Sequence, residues 1–225
     1  MIREIGVTLA LLGTASAQPA PTLATPAILL LAKVEANYKT PQHLSATFEQ
    51  ALTNAVSRKV MPANGMLRIE KPNKLRFDFL QPKRKDPKPK ATYLFDGKSL
   101  WVIDHQNLQV AQKATEGSEL PSMVTFFLGT GTMSRDFKVA ITADPALVPA
   151  GANALELTPK KPSAAYAKVI LVLDARQMVT QTTIIDSSGG TQVMKFTSVE
   201  LDKPAPAGTF VLDRKAIDGY KMIKP

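Results

Sequence analysis

Residues 93–110 read YLFDGKSLWVIDHQNLQV, three short apolar runs cut by two turns. Asp96-Gly97 is a tight-turn dipeptide, and Asp104 to Asn107 is a second cluster of turn formers. Neither interval holds enough residues for a crossover helix, so the runs TYLF, SLWVI and LQVA must pair antiparallel. The same rhythm continues downstream. Asp174 to Gln177 separates KVILVL from MVTQTTII, and Ser187 to Gly190 separates that run from TQVMKFTSVEL. Upstream, Leu75-Arg76-Phe77-Asp78-Phe79 alternates strictly, which places Leu75, Phe77 and Phe79 on one face of a strand and the charged groups on the other. The fold class that follows is mainly β (α+β), an antiparallel meander with one apolar, concave face.

Two stretches break the strand pattern. Residues 27–38 (AILLLAKVEANY) bring Ile28, Leu31 and Tyr38 together at helical spacing, with Leu30 and Val34 alongside, and stop before Pro41. Residues 119–129 (ELPSMVTFFLG) line up Met123, Phe126, Phe127 and Leu128 along a short helix that Gly129 closes. The first must bury one face, and the second reads as a cover over the sheet. Residues 82–90 (PKRKDPKPK) concentrate Lys83, Arg84, Lys85, Lys88 and Lys90 among three prolines, which reads as a solvated hairpin loop or as a docking patch for acidic protein or lipid head groups.

The chain opens on MIREIGVTLALLGTASAQ: one arginine, an apolar stretch from Ile5 to Leu12, then Ala15-Ser16-Ala17 in the A-x-A cleavage form. Residues 1–17 are expected to be an export signal, 18–26 (QPAPTLATP) a Pro- and Ala-rich leader, and 27–225 a single domain. The apolar core of the signal is far shorter than the ~20 residues that span a bilayer. The mature protein is expected to be soluble. The sequence has no cysteine, which excludes disulfides, thiolate chemistry, cysteine zinc sites and a lipidated cysteine anchor. A formal charge of +9 suits nucleic acid, anionic lipid or an acidic partner, and export argues against nucleic acid.

Catalysis finds little support in the residues. His43 and His105 lie near strand ends without metal-ligand spacing, no G-x-S-x-G elbow occurs, and Gly129-Thr130-Gly131 reads as a helix end. Asp96 and Asp104 are turn formers first.

Four segments, in order, resemble the outer-membrane lipoprotein carrier family (LolA-like): LSATFEQ at 44–50, GMLRIEKPNKLRFDFLQP at 65–82, YLFDGKSLWVIDHQNLQV at 93–110, and a C-terminal half with LELTPK at 155–160 and VMKFTSVELDKPAPAGTFVLD at 193–213. The resemblance implies an unclosed antiparallel barrel of about 11 strands covered by about three short lid helices. It implies a periplasmic monomer that needs no cofactor and binds no nucleic acid. It would take acylated lipoproteins from an inner-membrane lipoprotein-releasing ABC transporter and pass them to an outer-membrane lipoprotein receptor. The acyl-chain cavity would be lined by Leu31, Phe48, Leu75, Phe77, Phe79, Trp101, Ile103, Met123, Phe126 and Phe127. The family's lid latch is an arginine before Pro-Asn, and Lys71 stands there in Lys71-Pro72-Asn73. A lysine lacks the rigid donor fork of guanidinium. A periplasmic sensor built on the same barrel, or a carrier of another lipid, is the alternative.

Overall fold

The computed structural model describes residues 25–81, 88–114, 128, 132–163 and 166–223. Helix α1 (Pro26–Lys39) starts where Thr25 caps it, its hydroxyl accepting from the Ile28 amide (3.4 Å), with Pro26 at the first helical position, where no amide hydrogen is required. Among the described residues twelve strands follow: β1 (His43–Thr53), β2 (Val60–Glu70), β3 (Lys74–Leu80), β4 (Pro89–Phe95), β5 (Ser99–Asp104), β6 (Gln109–Ala114), β7 (Phe137–Ile141), β8 (Asn153–Pro159), β9 (Lys168–Leu173), β10 (Val179–Ile185), β11 (Thr191–Leu201) and β12 (Lys221–Ile223). A single turn of helix, α2 (Met133–Asp136), leads into β7.

The strands form one sheet in the order β12-β6-β5-β4-β3-β2-β1-β11-β10-β9-β8-β7. Two meanders, β1–β6 and β7–β11, are joined where β1 pairs with β11 (Phe48 opposite Phe196), and only β12 runs parallel to its neighbour β6. Among the described residues β7 and β12 are not paired with each other, so the barrel is open. The four turns read from the sequence all join neighbouring antiparallel strands. At Asp96-Gly97 the glycine takes φ +98°, and the Asp96 carboxylate accepts from the Lys98 and Ser99 amides (2.9 and 2.8 Å) and from the indole nitrogen of Trp101 (2.9 Å). Burial pushes the Asp96 carboxyl up, but these hydrogen bonds outweigh it and hold the group below the usual carboxylate range.

The two faces of the sheet are covered differently. Leu44, Ala46, Phe48, Leu67, Ile69, Leu75, Phe95, Leu155, Leu157, Leu171, Met194 and Phe196 share one apolar cluster with Leu31, Val34 and Tyr38 of α1. This is the concave face, and α1 lies on it. On the opposite face Leu94, Trp101, Ile103 and Val110 pack beneath Phe210, with Leu212, Ile217 and Tyr220 around them, so the chain between β11 and β12 acts as a strap over the convex side. The buried stripe of α1 is Ala27, Leu31, Val34 and Tyr38; Ile28, expected on it, is only half-buried, because a 3.6-residue period running back from Tyr38 through Val34 and Leu31 reaches Ala27 instead. The described residues hold two helices where about three were expected, and the helix expected at 119–129 lies outside them apart from Leu128, which is buried in the concave cluster.

Candidate functional site

Helix α1 is fastened at its C-terminal end to two separate rims of the sheet. From the turn between β2 and β3, the Lys71 ammonium donates to the carbonyls of Tyr38 and Lys39 (2.8 Å to Lys39), completing the last helical turn with a cation where the helix dipole favours one. Burial lowers the Lys71 pKa, and Asp202 nearby opposes that shift. From the turn between β9 and β10, the carbonyls of Arg176 and Gln177 accept from the Asn37 amide (2.8 and 3.3 Å). The Tyr38 hydroxyl accepts from the Val179 amide (3.1 Å), and burial pushes its pKa up to about 12. Glu35 accepts from the Met133 amide (2.7 Å), tying α1 to α2.

Beneath the helix an aromatic row runs from the sealed interior toward solvent. Phe48, 1% exposed, meets Phe77 and Phe79 edge-on (centroids 5.8 and 5.2 Å), and Phe79 meets Tyr93 (5.8 Å), which is 41% exposed. Phe48 can lie flat on the sheet because Gly65 is beneath it: a Cβ on Gly65 would stand 2.6 Å from Phe48 Cζ. The row opens into a groove of about 290 Å³ lined by Leu52, Met61, Ala63, Phe79, Ala91 and Tyr93 among others. Cross-strand register puts Leu52 opposite Met61 on that same concave side. An apolar floor, a helix that fills part of it, and a mouth at the edge can enclose a hydrocarbon chain.

Of the cavity residues expected from the sequence, Leu31, Phe48, Leu75, Phe77 and Phe79 meet on the concave face. Trp101 and Ile103 do not. They point through the sheet into the cluster under the strap, a consequence of the alternation of β5, in which Leu100 rather than Trp101 reaches the concave cluster. Met123, Phe126 and Phe127 lie outside the described residues. Asn37, Glu35, Tyr93 and Gly65 were not singled out from the sequence; a glycine inside the strand run GMLRIE was the one available signal.

The convex face carries a buried polar network. Asp78, 5% exposed, accepts from Arg76 Nε (2.8 Å), Arg68 Nη1 (3.2 Å) and the Thr92 hydroxyl (2.8 Å). Thr92 also meets His105 Nε2 (3.2 Å), and His105 Nδ1 meets the Tyr220 hydroxyl (3.1 Å). Arg76 donates to the Thr209 carbonyl (3.0 Å). These bonds tie the strap to the sheet. No group of three or more His, Cys, Asp or Glu among the described residues is arranged to hold a metal ion.

The model of the family "Outer membrane lipoprotein carrier protein LolA" matches residues 39–213, from the end of α1 through β11. An outer-membrane lipoprotein carrier protein of Dechloromonas aromatica is 26% identical over 175 residues, 76% of this chain and 77% of that one. Its counterpart in Chromobacterium violaceum is 31% identical over 127 residues, 56% of this chain and 57% of that one. Among solved structures, a conserved protein from Thermus thermophilus superposes with a TM-score of 0.54 at 12% identity, covering 89% of this chain and all of the other, a likeness of fold alone. With the matched region taking in eleven of the twelve strands and the residues that floor the concave face, this chain belongs to the outer-membrane lipoprotein carrier family.

Proposed function

We propose that the protein is a periplasmic carrier, not an enzyme, that shelters the acyl chains of lipoproteins against its concave face and moves them from the inner to the outer membrane. The observation that carries this reading is α1, whose apolar stripe fills part of the concave face while its polar end is fastened to both rims by Lys71, Asn37 and Tyr38. Energetics give such a helix a purpose. Burying a CH₂ is worth about 0.8 kcal/mol, so an acyl chain of about sixteen carbons gains on the order of 12 kcal/mol, and two or three chains would pass the limit of reversible binding. Entry of cargo lifts Leu31 and Val34 out of the cluster, each side chain costing roughly 1.5–3 kcal/mol of its own burial. That offset lets a tight hydrophobic grip remain reversible.

Cargo would arrive from a lipoprotein-releasing ABC transporter and leave for an outer-membrane receptor. The test is to purify the exported protein from a bacterial periplasm without detergent and identify bound species by mass spectrometry. Acylated protein is the expected result. Recovery of none, even after incubation with inner membranes loaded with lipoprotein, would overturn the proposal.

A further inference from the structure

The hairpin that joins β1 to β2 ends in a projecting tip whose composition fits a lipid surface. Val56 is 93% exposed, and Leu52, Val60 and Met61 are also among the exposed large apolar side chains. Residues 52–61 (LTNAVSRKVM) include Arg58 and Lys59 and no acidic residue, and neither cation takes part in a salt bridge among the described residues. The tip is built rather than slack. Asn54 Oδ1 accepts from the Val56 and Ser57 amides (3.0 and 2.9 Å), the Asn54 amide donates to the Lys59 carbonyl (3.0 Å), and the Arg58 amide donates to the Asn54 carbonyl (3.1 Å). An ordered turn that holds a valine out in water, beside two cations, has no use in packing the fold.

We propose that this tip docks the protein on an anionic lipid surface, with Val56 entering the acyl region and Arg58 and Lys59 meeting head-group phosphates. Charge complementarity selects the occupant. Arg58 and Lys59 have no carboxylate beside them within residues 52–61, and Asp104, which lines the mouth groove, holds its carboxylate on the Gln106 and Asn107 amides (2.9 and 3.0 Å) and the Asn107 side chain (2.7 Å). Leu52 and Met61 belong both to the hairpin and to the groove that leads to Phe79 and Tyr93, so a surface touching the tip lies against the mouth of the concave face.

The experiment is vesicle flotation of the exported protein with phosphatidylglycerol-containing vesicles and with pure phosphatidylcholine vesicles, alongside two variants. Val56→Asp alters a side chain that is 93% exposed, and Arg58→Asn, combined with Lys59→Ser, keeps a residue tolerant of the left-handed backbone at position 58 (φ 55°). The wild type is expected to float with the anionic vesicles only, and less so at high salt. Val56→Asp should reduce partitioning at least about tenfold, and each neutralised cation about fivefold. A wild type that fails to float with anionic vesicles, or a Val56→Asp protein that floats like the wild type, overturns the proposal. So does a loss of cargo uptake in the variants that requires inner-membrane proteins while the wild type ignores protein-free vesicles, since the tip would then meet a protein. Vesicle binding is read without cargo, so its failure is separable from failure to recover acylated protein.

Discussion

Lys71 and Lys39 meet where helix α1 ends, the ammonium of one donating to the backbone carbonyl of the other at 2.8 Å while also reaching the carbonyl of Tyr38. A flexible side chain from the β2–β3 turn thereby does what a helix cap would otherwise do, and it ties the helix to a different part of the sheet. The same helix end is held from the far side by Asn37 on the 176–177 turn. Lifting the helix therefore requires release at two rims.

Replacing Lys71 with Leu leaves the carbonyls of the last turn to water and frees one rim. Because the site is only partly buried, the expected loss is near 1 kcal/mol, or about fivefold in the population of the lifted helix. Hydrogen exchange at the amides of α1 should accelerate by that factor, and cargo transfer should change with it. Lys71→Arg should restore protection. Equal exchange in wild type and Lys71→Leu would show that the contact does not hold the helix.

Tyr38→Phe tests the second rim. The hydroxyl accepts from the Val179 amide in a buried setting, so its removal strands a backbone donor and should cost roughly 1–3 kcal/mol in denaturant unfolding. Unchanged stability would mean that the amide finds another acceptor. Gly65→Ala should destabilise by a similar ~1–3 kcal/mol, because the new methyl would collide with Phe48 and with the Asp78 carbonyl, and β3 or Phe48 must shift to admit it.

The strap on the convex face predicts a pH response. Burial lowers the His105 pKa from 6.5, Asp78 and Asp104 oppose that, and Arg76 reinforces it. A histidine with a depressed folded pKa takes up its proton more readily in the unfolded chain. Stability is therefore full above about pH 6.5 and falls as the pH drops below it toward the folded pKa. Thermal melts between about pH 7.5 and about pH 5.5, on either side of the unperturbed histidine value, should show a decline that His105→Gln removes. A decline of equal size in the variant would place the titrating group elsewhere.

Much of this architecture was readable because turns and alternation are local. The Asp-Gly and Asp-rich turns fixed the meander, and the alternation of Leu75, Phe77 and Phe79 fixed the concave face. What escaped was long-range. Nothing within β5 says which face of the sheet its alternating pair will serve, since both faces are covered: the concave one by α1, the convex one by a strap more than a hundred residues away in sequence. The family resemblance implies Trp101 and Ile103 in the cavity, and the structure puts them under the strap instead. The α1 contacts of Asn37 and Tyr38 join residues about 140 positions apart, and no local pattern announces them.

The placement of Trp101 has a spectroscopic consequence. It is the only tryptophan, it is 7% exposed, its indole donates to Asp96 Oδ2, and its ring packs under Phe210 with the sheet between it and the concave face. Its emission should report on the strap and stay nearly constant when an apolar ligand enters from the mouth. A protein carrying Trp101→Phe together with Tyr93→Trp moves the probe to the groove, where ligand should displace water from a half-exposed ring and shift emission to the blue. Titration of both proteins with a long-chain fatty acid separates the two faces. A strong blue shift from Trp101 in the native sequence, with none from the probe at 93, would mean that the ligand seats beneath the strap and that the concave face is not the binding surface.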